Sequence, residues 1–137
     1  MRAAAVGLGT LLALTLGSVP STASAVELKP EWGSVSAKDG ILKRGCRSYE
    51  YSYSVTAPED GDWDLDVDLV APGGRAVWNG YLYEGANAAQ GTATFRLCRS
   101  KVKPGRYKLK AVVSVQDGDD NQAGRLPTAR FRLSRPR

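Results

Sequence analysis

Four aspartates alternate with apolar residues in one short segment, and no other carboxylates come as near to a catalytic or metal-binding spacing. They are Asp62, Asp64, Asp66 and Asp68. On a β-strand, alternate residues lie about 6.6 Å apart along one face, too far for a single calcium ion to gather all four. We therefore interpret the row as a solvated strand face whose charges pair across strands with the bases between Arg106 and Lys110.

A second acidic segment has part of the spacing of a calcium-binding loop. Asp117, Asp119 and Asn121 stand at i, i+2 and i+4, as at the start of an EF-hand. The sixth position is Gln122 rather than glycine, and the twelfth is Thr128 rather than glutamate. We interpret this segment as a flexible acidic loop and predict no metal site, while a weak surface calcium site completed by neighbouring loops stays open.

The chain lacks the side chains that nucleophilic catalysis most often uses. There is no histidine, which excludes Ser-His-Asp and Cys-His machinery and the common zinc sites. The two cysteines, Cys46 and Cys98, are expected to form a disulfide in an exported protein, and this removes the thiolate as well. We predict that the protein is not an enzyme and needs no cofactor.

Export is predicted from the first 25 residues. Arg2 precedes an apolar stretch, residues 3–17, and Ala23-Ser24-Ala25 supplies the small residues before a cleavage point. The stretch is too short for a good transmembrane helix, which needs about 20 apolar residues. We expect residues 1–25 to be a secretory signal peptide and residues 26–137 to be one secreted domain without a transmembrane anchor.

The charge of the mature chain narrows the choice of partners. The whole chain carries +5, and cleavage removes Arg2 as the only charged residue of the signal peptide. The remaining excess of bases favours anionic surfaces. Because the bases are dispersed and acids lie between them, we predict no nucleic-acid binding. The oligomeric state cannot be inferred from the composition.

Period-two alternation dominates the mature chain and predicts an all-β fold. Seven segments alternate between turn signals such as Pro104-Gly105: residues 32–35, 49–55, 63–69, 76–83, 93–97, 107–115 and 129–133. Seven short strands in this length indicate a single antiparallel β-sandwich. The buried face of the fourth strand stays undecided, because Trp78 and Leu82 compete with Val77, Tyr81 and Tyr83.

Pro104-Gly105-Arg106-Tyr107, at the start of an alternating strand, resembles the start of strand F in fibronectin-III and related immunoglobulin-like domains. The resemblance implies that Tyr107 closes a corner by hydrogen-bonding back to the main chain. The chain as a whole also looks like small secreted actinobacterial proteins without an assigned function. In this immunoglobulin-like topology, Cys46 begins the second strand and Cys98 ends the fifth, its antiparallel neighbour, so the two meet at one end of the sandwich. Tyr49 then lies opposite Phe95.

The same topology separates charges of opposite sign between the two ends of the domain. One end carries the bases Lys38, Lys43, Arg44, Arg47, Arg75, Arg99, Lys101 and Lys103 against Asp39 alone. The other end carries the acids Glu59, Asp60, Glu84, Asp117, Asp119 and Asp120 against Arg125 alone. This distribution predicts an electrostatic contact made through the ends.

From these features we predict a non-catalytic extracellular binding module. Its basic end would dock on an anionic cell-wall polymer or an extracellular protein. The residues expected to supply the charge are Lys43, Arg44, Arg47, Arg99, Lys101 and Lys103. The alternative is a secreted small-ligand carrier or enzyme inhibitor that acts through its loops, which an apolar cleft between the sheets would favour.

Overall fold

The computed structural model describes Gly17, residues 26–58 and residues 61–137. The predicted signal peptide lies outside the described residues except for Gly17, as do Glu59 and Asp60. The described residues form nine strands: β1 (Gly33–Ser36), β2 (Gly40–Ile41), β3 (Cys46–Val55), β4 (Asp62–Val70), β5 (Ala76–Tyr83), β6 (Gln90–Cys98), β7 (Gly105–Asp117), β8 (Asp120–Arg125) and β9 (Ala129–Ser134). Two single 3₁₀ turns, Pro30–Trp32 and Arg99–Lys101, are the only helical elements of the described residues.

The strands form two facing sheets, which makes the protein an all-β sandwich. One sheet has three strands in the order β1-β3-β6. The other has the order β2-β9-β7-β4-β5, with β8 also paired to β7. The long strand β7 therefore has β4 along one side, and β9 followed by β8 along the other.

The structure differs from the seven-strand antiparallel prediction in two places. The last predicted strand is preceded by a separate strand, β8, because the segment read as a flexible acidic loop folds into a hairpin in which Asp117 faces Asp120. Gly118 takes the positive φ of 57° that this two-residue turn requires. The short strand β2 pairs with β9 in parallel, so the pairing is not wholly antiparallel.

Aromatic side chains fill the core between the sheets. Phe95 is buried, and its ring lies 5.5 to 6.2 Å from those of Tyr49, Tyr51, Trp78 and Phe131. Burial raises the pKa of Tyr51 to about 12, with a smaller contribution from Tyr53. Trp78 and Leu82 pack against this core while Tyr81 and Tyr83 face solvent, which decides the orientation of β5 over most of its length. Val77, at the start of the strand beside an irregularity in the β4–β5 ladder, also packs against the core.

The predicted disulfide is confirmed, and so is the register beside it. Cys46 and Cys98 are bonded and pair directly across β3 and β6. Tyr49 lies opposite Phe95 in the same ladder, and the two rings stack. This cross-link ties the beginning of β3 to the end of β6 and so fixes one end of the sandwich.

Candidate functional site

Two basic segments, residues 43–47 and 99–103, meet at the cross-linked end of the sandwich. We call the six bases predicted from the sequence the basic end: Lys43, Arg44, Arg47, Arg99, Lys101 and Lys103. Arg47 follows Cys46 and Arg99 follows Cys98, so the disulfide holds the two segments side by side. The amide of Arg99 also donates to the carbonyl of Gly45 at 3.0 Å. All six side chains are exposed or half-exposed.

The second basic segment is also fixed at its far end. The Tyr107 hydroxyl donates a hydrogen bond of 2.6 Å to the main-chain carbonyl of Lys103, and the Tyr107 side chain is buried. Burial, followed by the neighbouring Tyr49, raises the pKa of Tyr107. The hydroxyl therefore stays protonated at neutral pH and available as a donor.

A surface groove extends the basic end towards the turn between β4 and β5. It has a volume of about 330 Å³, and Arg75, Arg96 and Lys101 line it together with Cys98. Arg75 comes from the β4–β5 turn, whereas Arg96 lies on β6. The structure thus brings Arg75 beside Lys101, as the charge distribution in the sequence predicted.

A further group of four bases lies next to the basic end, on the outer face of the six-stranded sheet. We call Arg106, Lys108, Arg130 and Arg132 the cationic patch. Arg106 pairs directly with Arg132, and Lys108 pairs with Arg130. Like charges in directly opposed positions destabilise a sheet. The Asp39 carboxylate accepts a hydrogen bond of 2.8 Å from the Arg132 amide and lines the same shallow pocket as Arg106, Arg130 and Arg132, so it offsets part of this repulsion. The remaining excess of positive charge favours an anion, or another negatively charged surface, above the patch.

Sequence reasoning assigned Arg106 and Lys108 to a different role. They were expected to neutralise the aspartate row of β4, but the register is offset along the strands. Only Asp68 faces a base, Lys110. The other three aspartates face Gln116, Ser114 and Val112. The predicted strand-to-strand neutralisation is therefore wrong for most of the row.

The aspartates are instead held from the other side, by β5. The amide nitrogen of Asn79 donates to Asp66 at 2.6 Å and to Asp68 at 2.9 Å. A hydrogen bond with Asp64, with smaller contributions from desolvation and nearby charge, raises the pKa of Tyr81. Asn79 thus fixes the positions of two neighbouring carboxylates on β4.

Exposed aromatic rings complete this region, which we call the acidic patch: Asp62, Asp64, Asp66, Tyr81 and Tyr83. Tyr81 and Tyr83 are 55% and 49% exposed, and their ring centroids lie 5.8 Å apart. Together with Asp62 and Glu84 they line an open groove of about 500 Å³. Glu84 reaches back to accept a hydrogen bond from the amide of Trp63.

Metal binding was left open for the acidic hairpin between β7 and β8. Asp117 and Asp120 face each other across the ladder, and Asn121 pairs with Gln116. The part of the chain that the structure describes contains no group of three or more acidic, histidine or cysteine side chains placed to hold a metal ion. Within the same residues, no helix has the length and apolar character needed to cross a membrane.

A third feature is a cleft at the open side of the sandwich, where the chain passes from β1 to β2. It has a volume of about 280 Å³, close to the lower limit for small-molecule sites. Its lining includes Ala37, Tyr49, Tyr51, Phe95 and Phe131. Polar side chains, among them Lys38 and Glu50, line the same cleft, so aromatic rings and charged groups face each other in it.

Neither a protein-family model nor a curated protein sequence matches this chain.

Proposed function

We propose that the protein is a secreted, non-catalytic binding module whose basic end docks on an anionic cell-surface polymer. The observation that carries this proposal is the covalent clamp between the two basic segments. A disulfide and a main-chain hydrogen bond hold the segment that carries Arg44 and Arg47 beside the segment that begins at Arg99, although both segments are positively charged. An anionic polymer that bridges both segments relieves this repulsion.

The cationic patch extends the surface available to such a polymer. Arg106 is the second residue of β7 and follows Lys103 by three positions, so the patch continues the basic end onto the sheet face. An extended chain of phosphate or carboxylate groups could follow this continuous row. Guanidinium groups suit such a ligand because they bind these anions through two parallel hydrogen bonds.

The strand order supports an immunoglobulin-like assignment for the fold. The strands that correspond to A, B and E form one sheet, and those that correspond to C, F and G form the other. The Tyr107 hydrogen bond to Lys103 is the contact expected at the corner before strand F. The disulfide fits an extracellular location, in which residues 26–137 are the mature domain.

The experiment is co-sedimentation of the mature protein with isolated cell-wall material at low and high salt. Binding should disappear at high salt, because exposed charges are screened within about 8–10 Å. The double variant Arg99→Glu with Lys101→Glu should lose binding at low salt. A matched variant, Lys29→Glu with Arg125→Glu, changes the net charge equally away from the basic end and should keep most of the binding. Equal losses in both variants, or salt-insensitive binding, would contradict the proposal.

The cleft between the sheets favours a second candidate, a small-ligand carrier. Its aromatic lining suits a flat apolar molecule. Binding of this kind is insensitive to salt, and Ala37→Phe should block it by filling the opening. The same variant should leave co-sedimentation with cell-wall material unchanged, so the two functions can be separated.

A further inference from the structure

The outer face of the six-stranded sheet carries two patches of opposite charge that do not neutralise each other. The acidic patch lies over β4 and β5, and the cationic patch lies over β7 and β9. Asp64 faces Ser114, which is six residues along β7 from Lys108. Asp66, the nearest acid of the patch, faces Val112, which is four residues from Lys108. The two patches are therefore separated by about 13–20 Å within one molecule, beyond the screening length of about 8 Å at physiological salt.

Such a face is complementary to itself. If a second copy is turned over by a two-fold rotation about an axis lying in the face, between the patches, each acidic patch meets a cationic patch. The contact is made twice, as in an isologous dimer. We propose that this face forms a two-fold homodimer in which the cationic patch of each copy lies against the acidic patch of the other.

Side-chain chemistry supports this pairing in detail. Arg130 and Arg132 are exposed and have long side chains that can reach across a contact. Opposite them would lie the carboxylates of Asp64 and Asp66, of which Asp66 is already held by a hydrogen bond from Asn79. The exposed rings of Tyr81 and Tyr83 offer faces on which guanidinium groups stack.

The area of the face sets the strength of the dimer. Four neighbouring strands span about 19 Å, and the nine residues of β4 extend about 30 Å. The face therefore covers roughly 600 Å² per copy, at the lower end of specific protein interfaces. We expect a weak dimer that depends on protein concentration and dissociates as salt is added.

Sedimentation velocity of the mature protein over a range of concentrations tests this inference. The wild type should sediment as a monomer–dimer equilibrium at low salt and as a monomer at high salt. Asp64→Lys with Asp66→Lys should weaken the dimer by more than about tenfold, and so should Arg130→Glu with Arg132→Glu, because each places like charges in contact.

The decisive experiment restores the dimer by exchanging the charges between the two patches. An equimolar mixture of the two double variants should form a heterodimer, and the chain carrying all four substitutions should form a homodimer again. The control Glu31→Lys with Glu50→Lys makes the same charge change as the acidic-patch variant away from this face, and should dimerise like the wild type. Circular dichroism of each variant separates loss of dimer from loss of fold.

Three results would overturn the proposal. They are a wild type that stays monomeric at every concentration at low salt, a dimer that the patch reversals leave unchanged, and growth beyond the dimer into open-ended oligomers. Polymer binding and dimerisation would share the cationic patch, but only polymer binding uses the basic end and only dimerisation uses the acidic patch, so variants in those two regions separate them. The Arg99→Glu, Lys101→Glu variant should still dimerise, and the Asp64→Lys, Asp66→Lys variant should still co-sediment with cell-wall material.

Discussion

The basic end and the acidic patch both crowd charges of one sign, but they are held together differently. At the basic end, a disulfide and main-chain hydrogen bonds fix the backbone, and the charged side chains extend into solvent. At the acidic patch, the Asn79 side chain on the neighbouring strand donates hydrogen bonds directly to the carboxylates of Asp66 and Asp68. The basic end is a rigid platform with adaptable charges, suited to an irregular polymer. The acidic patch has fixed charges, suited to a partner of defined shape.

The largest expected effect comes from breaking the clamp of the basic end. Replacing both cysteines, Cys46→Ser with Cys98→Ser, opens a loop with a sequence separation of 52. The chain-entropy model then predicts a loss of about 4 kcal/mol in the free energy of unfolding. Urea denaturation measures it. A loss below about 1 kcal/mol would show that the hydrogen bonds alone hold this end.

Tyr107→Phe should have the next largest effect. It removes the donor to the Lys103 carbonyl and keeps the buried ring, so we expect a loss of about 1–2 kcal/mol in the free energy of unfolding. Tyr53→Phe is the matched control, since its hydroxyl donates to the carbonyl of Ala88. Both variants should lose stability, but only Tyr107→Phe should also weaken co-sedimentation with cell-wall material. If the two variants bound cell-wall material equally well, the Tyr107 hydrogen bond would not contribute to polymer binding by the basic end.

Asn79→Ala should free the carboxylates beside it and lower the free energy of unfolding by less than the two changes above. Asp66 and Asp68 lose their shared donor and repel each other, for which we expect a loss of about 0.5–1 kcal/mol at low salt. Thermal unfolding at two salt concentrations measures it, and salt should reduce the loss. Asn121→Ala on β8 is the control and should leave the melting temperature nearly unchanged. A loss that does not respond to salt would point to lost packing instead of charge repulsion.

The smallest effect is a spectroscopic one. A hydrogen bond with Asp64 is the largest cause of the raised pKa of Tyr81, and the charge of Asp64 adds to it. Asp64→Asn weakens the first and removes the second, so this pKa should fall towards its ordinary value of 10. A raised phenol pKa stabilises the fold below pH 10, and this contribution is lost as the pH rises through the folded-state value. Ultraviolet titration of tyrosine ionisation, with Tyr81→Phe to assign the transition, measures the shift. If the titration of Tyr81 did not change in this variant, Asp64 would not be the cause of the raised pKa.

Alternation in the sequence was enough for most of the fold, since burial of one strand face is a local property of the chain. It predicted the buried faces of β3, β4, β6, β7 and β9, and with the strand order it placed Cys46 opposite Cys98. It failed at β5, where both faces carry large apolar side chains. It also failed at the acidic hairpin, where Gly118 allows a tight turn in place of a long loop.

The sequence by itself determined the absence of imidazole, the all-β class, the disulfide and the gathering of the basic end, because residue type, period and strand order decide them. Only the tertiary structure decided which charges face each other. Register depends on how two distant strands pair. Along one edge of β7, Lys108 lies beyond the aspartates of β4 and faces Val70, and along the other edge Arg106 and Lys108 face Arg132 and Arg130 of β9. The cationic patch and the self-complementary face exist because that register offsets the two charge rows.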